Sequence, residues 1–205
     1  MGGGYLPERR LCRVNLPNRL TISRLVLTVA FLVCLMSPAR VPYGGTLALL
    51  LFIAASLTDF FDGRIARRDN LITNFGILMD PLADKILICS AFIAFVDLRL
   101  MPAWMVVVIV CRELTITGLR LLAISKHVVL AAAGYGKHKT ASQILTIIFM
   151  LIFISYPQWG AWARDFFSPW IDPFTHILQW IAVLLTLLSG GIYLWRNRAM
   201  YMTDI

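Results

Sequence analysis

Apolar runs separated by short polar or proline-bearing stretches recur along the chain. Six can be marked, over roughly residues 20–36, 44–57, 75–95, 102–124, 140–156 and 177–195. Several approach the ~20 residues that an α-helix needs to cross the hydrocarbon core of a bilayer. The second falls short until its helix is continued through the polar residues that follow, to about Arg67 or Arg68. The pattern predicts an all-α membrane protein of six transmembrane helices in one domain spanning residues 1–205. Its parts are a basic segment over 1–19, a helical bundle over 20–195 and a tail over 196–205. An even number of crossings puts both termini on one side. The fifth connection, residues 157–175, carries Trp159, Trp162, Phe166, Phe167, Trp170 and Phe174, whose amphipathic rings suit the outer headgroup zone.

Composition agrees with the pattern and excludes a soluble globular domain: 59% of residues are hydrophobic, 15% are charged and mean hydropathy is +0.76. Basic residues supply the orientation. One side holds twelve: Arg9, Arg10, Arg13, Arg19, Arg64, Arg67, Arg68, Lys126, Lys137, Lys139, Arg196 and Arg198. The other holds only Arg40, Arg99 and Arg164. By the positive-inside rule both termini are expected in the cytoplasm. The net charge of +8 then gathers on the face where anionic headgroups or phosphorylated substrates would meet it. Because these charges flank spans and do not cluster in a soluble module, nucleic acid is not an expected partner. Cys12, Cys34, Cys89 and Cys111 show no paired spacing and are expected to be reduced packing residues. The basic start resembles a signal peptide, but Arg24 interrupts the apolar run and five more spans follow, so a retained first helix is expected. A bacterial inner or plasma membrane suits a short chain with no obvious transit segment.

The anomaly in this apolar chain is a set of four aspartates. Of only eleven acidic residues, Asp59, Asp62, Asp80 and Asp84 fall within 26 positions. Acids beside lipid are costly and usually functional. Asp59, Asp62, Gly63 and Ala66 stand at i, i+3, i+4 and i+7, one stripe of a helix, and Gly76, Asp80 and Asp84 at i, i+4 and i+8, a second. The residues between them, with Arg68, Asp69, Asn70 and Asn74, suit a turn between antiparallel helices, so the two stripes are expected to face each other. Close carboxylates need positive charge between them, and oxygen-only ligation by aspartates suits Mg²⁺ or Mn²⁺. Gly63, Ala66 and Gly76 leave room for a bulky polar ligand near the backbone, and Arg67 offers a fork for phosphate oxygens. The plainer alternative is salt bridging of these acids to Arg64, Arg67, Arg68 and Lys85.

The eight positions Asp59, Asp62, Gly63, Ala66, Arg67, Gly76, Asp80 and Asp84 match without departure the signature that the chain shares by resemblance with the CDP-alcohol phosphatidyltransferases. The resemblance implies a six-helix membrane enzyme, often a homodimer, that transfers a phosphatidyl-type group from a CDP-linked lipid to an alcohol and releases CMP. It implies two divalent ions held by the first three aspartates, with the fourth also at the metal site, and Asp84 as general base. Asp84 acting only as a further metal ligand stays open. Gly63, Ala66, Arg67, Gly76, Asn18 and Thr21 are the expected contacts to CDP-diacylglycerol.

Three regions resemble the branch of that family whose acceptor is glycerol 3-phosphate: residues 15–24, 112–120 and 135–143. They make Arg24, Arg112, Arg120, Lys137 and Lys139 the expected ligands of the acceptor phosphate. Simpler roles compete: a capping turn around Asn18, an ion pair between Glu113 and Arg120, and a capping box in which Thr140 and Gln143 open the fifth helix. Inositol phosphate and phosphatidylglycerol remain alternative acceptors. Other function classes fit less well. An intramembrane prenyltransferase usually separates its acidic motifs widely, whereas Asp62 and Asp80 are eighteen apart. A divalent-cation transporter has no evident need for Gly63, Ala66, Arg67 and Gly76.

Overall fold

A computed structural model of the protein describes residues 16–37, 41–65, 74–125 and 136–198, and their side chains over 22–37, 41–57, 85–123 and 138–198. These residues form seven α-helices and one 3₁₀ turn, with no strand among them. The helices are α1 (Leu16–Met36), α2 (Gly44–Ile65), α3 (Asn74–Asp97), α4 (Ala103–Ser125), α5 (Gly136–Ser155), α6 (Ala161–Phe167) and α7 (Ile171–Arg196). All but α6 run 20–26 residues, about 30–39 Å at 1.5 Å per residue. By length and composition together, α7 and the segment His138–Gln158 are apolar enough to cross a membrane among the described residues.

Proline and charge mark the helix ends where they differ from the apolar runs. Pro102 immediately precedes α4, and Pro157 lies in the 3₁₀ turn Tyr156–Gln158 that follows α5. The last helix begins at Ile171, six residues before the apolar run, because Pro173 occupies its first turn, where a missing N–H costs nothing. Asp172 and Arg196 occupy its first and last turns, each complementing the helix dipole. The fifth helix also starts early, at Gly136. Thr140 and Gln143 therefore lie inside α5 and form no capping box at its start. The aromatic connection contains α6, with Trp162 and Phe166 exposed and Ala163 buried. Its rings gather on Phe167, whose centroid lies 5.5 Å from Trp170 and 6.0 Å from both Tyr156 and Trp159.

Within the bundle α1 packs on α2 and α3, α5 on α2 and α7, and α4 on α3 and α7. Phe31, Phe52, Phe92, Phe95, Ile109, Ile147 and Leu151, all fully buried, form the centre of the core. Cys34, Cys89 and Cys111 are free thiols. The corner between α3 and α4 is tight. Arg99 takes a left-handed conformation (φ 57°), the Leu100 N–H donates to the Phe95 carbonyl at 2.9 Å, and the Arg99 N–H donates to that of Val96 at 2.9 Å. Gln179 of α7 then donates to the Leu100 carbonyl at 3.1 Å, locking the corner to the last helix. At the start of α2 the Trp159 indole N–H donates to Thr46 at 2.8 Å.

Helices α2 and α5 approach closely at Gly45, where an added Cβ would come within 2.9 Å of Ser155 Oγ and 3.0 Å of Ile154 Cγ2. A Cβ added at Gly118 in α4 would meet nothing within 4 Å among the described residues outside its own stretch of helix. Gly45→Leu is expected to destabilise the detergent-solubilised protein by about 1–3 kcal/mol through overpacking. Gly118→Ala should instead stabilise it by up to ~1 kcal/mol through helix propensity. Thermal unfolding in one detergent compares the two.

Candidate functional site

The most unusual group among the described residues is a carboxylate in the middle of the bundle. Glu113 of α4 is 1% exposed, and three cations from three helices converge on it. Lys139 of α5, itself 2% exposed, donates to Oε1. Arg112 reaches the same oxygen at 3.2 Å. Lys85 Nζ of α3 forms an ion pair with Oε2 at 2.6 Å. A buried carboxylate with no such partners would cost several kcal/mol. Helical phase explains the meeting: Lys139 and Gln143 are one turn apart on α5, and both side chains reach Glu113, Gln143 at 3.5 Å.

The network continues into α7. Gln143 Nε2 donates to Thr186 at 3.1 Å, and Arg112 donates to Ser189 at 3.3 Å. The stem of Arg112 crosses α7 at Gly190, where an added Cβ would come within 2.9 Å of Arg112 Cγ. Four helices are thus joined through one acid.

Beside this network is a cavity of about 190 Å³, lined by Arg24, Ser56, Lys85, Leu87, Ile88, Thr140 and Ile144. At about 30 Å³ per water it holds some six water volumes, room for a small polar ligand. Arg24 is buried and Lys85 is 24% exposed, so Lys85 is both a wall of the cavity and a partner of Glu113. The register ties the cavity to the acidic helices. Ser56 precedes Asp59 by three residues on α2, and Ile88 follows Asp84 by four on α3, each about one turn.

The helical backbone of α2 carries Asp59, Asp62 and Gly63, and that of α3 carries Gly76, Asp80 and Asp84, keeping the i, i+3 and i, i+4 spacing of each acidic pair. These side chains, with those of Asn18, Thr21 and Lys137, lie outside the described ones, and Ala66 and Arg67 lie outside the described residues. Among the described residues no three His, Cys, Asp or Glu side chains form a metal-sized cluster.

Of the expected acceptor ligands, Arg24 lines the cavity, Arg112 and Lys139 are engaged with Glu113, and Arg120 is exposed on α4. Glu113 pairs with Lys85, Lys139 and Arg112, not with Arg120 as the single-helix spacing suggests. Sequence reasoning missed Lys85 and Ser56 as lining residues. The available signal was positional: a lone lysine in an apolar helix directly after Asp84, and a serine one turn before Asp59.

The model of one protein family, described as CDP-alcohol phosphatidyltransferase, matches residues 14–188. The chain is 38% identical over 193 residues to a Bacillus subtilis (strain 168) protein named CDP-diacylglycerol–glycerol-3-phosphate 3-phosphatidyltransferase, covering 89% of this chain and 95% of that relative. A Rickettsia bellii protein of the same name is 32% identical over 183 residues, covering 87% and 93%. A Mycobacterium tuberculosis (H37Rv) protein named probable phosphatidylglycerophosphate synthase is 36% identical over 189 residues, covering 89% and 81%.

Replacing Glu113 with alanine strips three converging cations of their shared counter-charge and is expected to cost about 3–5 kcal/mol. Thr186→Val removes only one acceptor from the Gln143 amide and should cost about 1–3 kcal/mol. Thermal unfolding in detergent should rank them in that order.

Proposed function

The chain belongs to the CDP-alcohol phosphatidyltransferase family, and we propose that it transfers the phosphatidyl group of CDP-diacylglycerol to glycerol 3-phosphate, releasing CMP. The observation that carries this reading is similarity across 87–89% of the chain to relatives named for that donor and that acceptor. A cavity flanked by Arg24 and Lys85, one turn from both acidic pairs, supports it independently. A phosphate monoester needs compensating cations, and a neutral polyol such as free inositol would not.

In this reading α1 to α5 and α7 cross the bilayer, with both termini and the acidic ends of α2 and α3 in the cytoplasm. Helix lengths and the one-sided distribution of basic residues support that arrangement. Asp59, Asp62, Asp80 and Asp84 would hold divalent cations, two by the family resemblance. When bound, such ions neutralise charge on the diphosphate and on departing CMP. Gly63, Ala66 and Gly76 leave backbone room for the donor, which Arg67, Asn18 and Thr21 help to hold. Arg24 and Lys85 orient the acceptor phosphate, with Lys137 and Arg120 supplying further positive charge toward the cytoplasm. A hydroxyl of glycerol 3-phosphate attacks the β-phosphorus, the bond from that phosphorus to the CMP oxygen breaks, and CMP leaves with the electron pair. Asp84 accepts the hydroxyl proton as the new bond forms.

Purified protein given CDP-diacylglycerol, glycerol 3-phosphate and Mg²⁺ should release CMP in step with phosphatidylglycerophosphate, and a chelator should stop it. Turnover with inositol phosphate but not glycerol 3-phosphate would overturn the acceptor. Asp84→Asn is expected to lower turnover by about 10²–10⁴-fold while keeping most of its affinity for CDP-diacylglycerol. Near-normal turnover in that variant would remove Asp84 as the base.

A further inference from the structure

We propose that Glu113 is a positioning residue for acceptor recognition, holding Lys85 against the cavity wall so that its ammonium meets the phosphate of the incoming alcohol. This rests on the reading above that the Arg24–Lys85 cavity receives that phosphate. Lysine is a flexible four-carbon stem with a point charge at its end, so its place is set by whatever holds the ammonium. Lys85 directly follows Asp84 in sequence, on a helix that also carries Asp80. A lysine there without a fixed partner elsewhere would be drawn to the nearest carboxylate and lost to the acceptor.

Glu113 is suited to be that partner because it is itself immobile. One oxygen is held by Lys139 and Arg112, and these are anchored in α5 and, through Ser189, in α7. The other oxygen is left to Lys85 at 2.6 Å. Lys139 is buried and Thr140, the next residue, lines the cavity, so the same network also borders the site from α5. Charge points to the ligand class. Among the described residues three cations share one carboxylate, which leaves two positive charges in excess beside a partly open cavity that Arg24 also lines. A phosphate monoester dianion matches that excess, and an uncharged alcohol does not. Glu113 touches no reacting atom in this scheme. It acts through Lys85, and its loss should appear in acceptor affinity before it appears in the chemical step.

The test is a double-mutant cycle on the full-length protein in mixed micelles of CDP-diacylglycerol with Mg²⁺, with glycerol 3-phosphate varied. Glu113→Gln and Lys85→Met should each raise KM for glycerol 3-phosphate about tenfold or more, with kcat and KM for CDP-diacylglycerol changed less than about threefold. The charge-balanced pair E113Q/K85M should raise it no further than K85M alone, and Glu113→Asp, which keeps the carboxylate, should recover part of the loss. Inhibition by inorganic phosphate should weaken in parallel. Multiplying KM effects in the pair, or a fall in kcat with an unchanged KM for glycerol 3-phosphate, would overturn the proposal. So would loss of folded protein in both E113Q and the charge-balanced pair, which assigns Glu113 to the fold alone. Failure of the functional reading is distinguishable, because it shows in the wild type: CMP release with glycerol but not with glycerol 3-phosphate removes the acceptor reading and this inference together.

Discussion

A carboxylate buried at the centre of an apolar bundle must be answered by positive charge. That requirement organises the middle of this protein. Glu113 draws Lys85 from α3, Lys139 from α5 and its own neighbour Arg112, which crosses to α7. Hydrophobic burial is undirected and holds helices together at many phases; an ion pair with hydrogen bonds holds them at one. The aliphatic and aromatic core around Phe31, Phe52, Phe92 and Phe95 supplies cohesion, and the Glu113 network supplies specificity of arrangement.

The same network borders the cavity through Lys85. Arg24 and Lys85 wall that cavity among Leu87, Ile88 and Ile144, where a charge with no partner would be costly. Arg24 is buried, and Lys85 is paired with Glu113. On the proposed reading, that positive wall is in place before the acceptor phosphate arrives, so binding need not also order the side chains that receive it.

Much of this was legible in the sequence, and the illegible part has a physical pattern. Hydrophobic runs located all six long helices, because each must present apolar side chains along most of its length. Their ends were less accurate where local chemistry overrode the run: Pro173 lets α7 begin early, and α5 starts at Gly136 through residues too polar to count as a span. The acidic motif was readable because helical spacing turns a string of aspartates into faces. The partners of Glu113 were not, since the spacing of one helix suggests Arg120, whereas the acid is satisfied by side chains of α3 and α5 that lie 28 and 26 residues away. Lys85 was read from the sequence only as a salt-bridge partner for the aspartates, and its place in the cavity wall was missed for the same reason. Spacing within a helix is written in the sequence, and the phase between helices is not.

That phase is set in part by the corner at Arg99. Counting back from Asp97 to Lys85 gives twelve residues and forward from Ala103 to Glu113 gives ten, so the two partners of the ion pair fall at similar depth along α3 and α4. A residue inserted within α4 between Ala103 and Glu113 would turn the acid by about 100° and shift it by about 1.5 Å relative to α3, swinging it away from its lysine. The hydrogen bonds from Leu100 and Arg99 and the grip of Gln179 on the Leu100 carbonyl hold the corner in one conformation. The chain reversal thus works as an indexing stop: a few backbone atoms at one end of the bundle determine which charges mesh some ten residues away, beside the cavity.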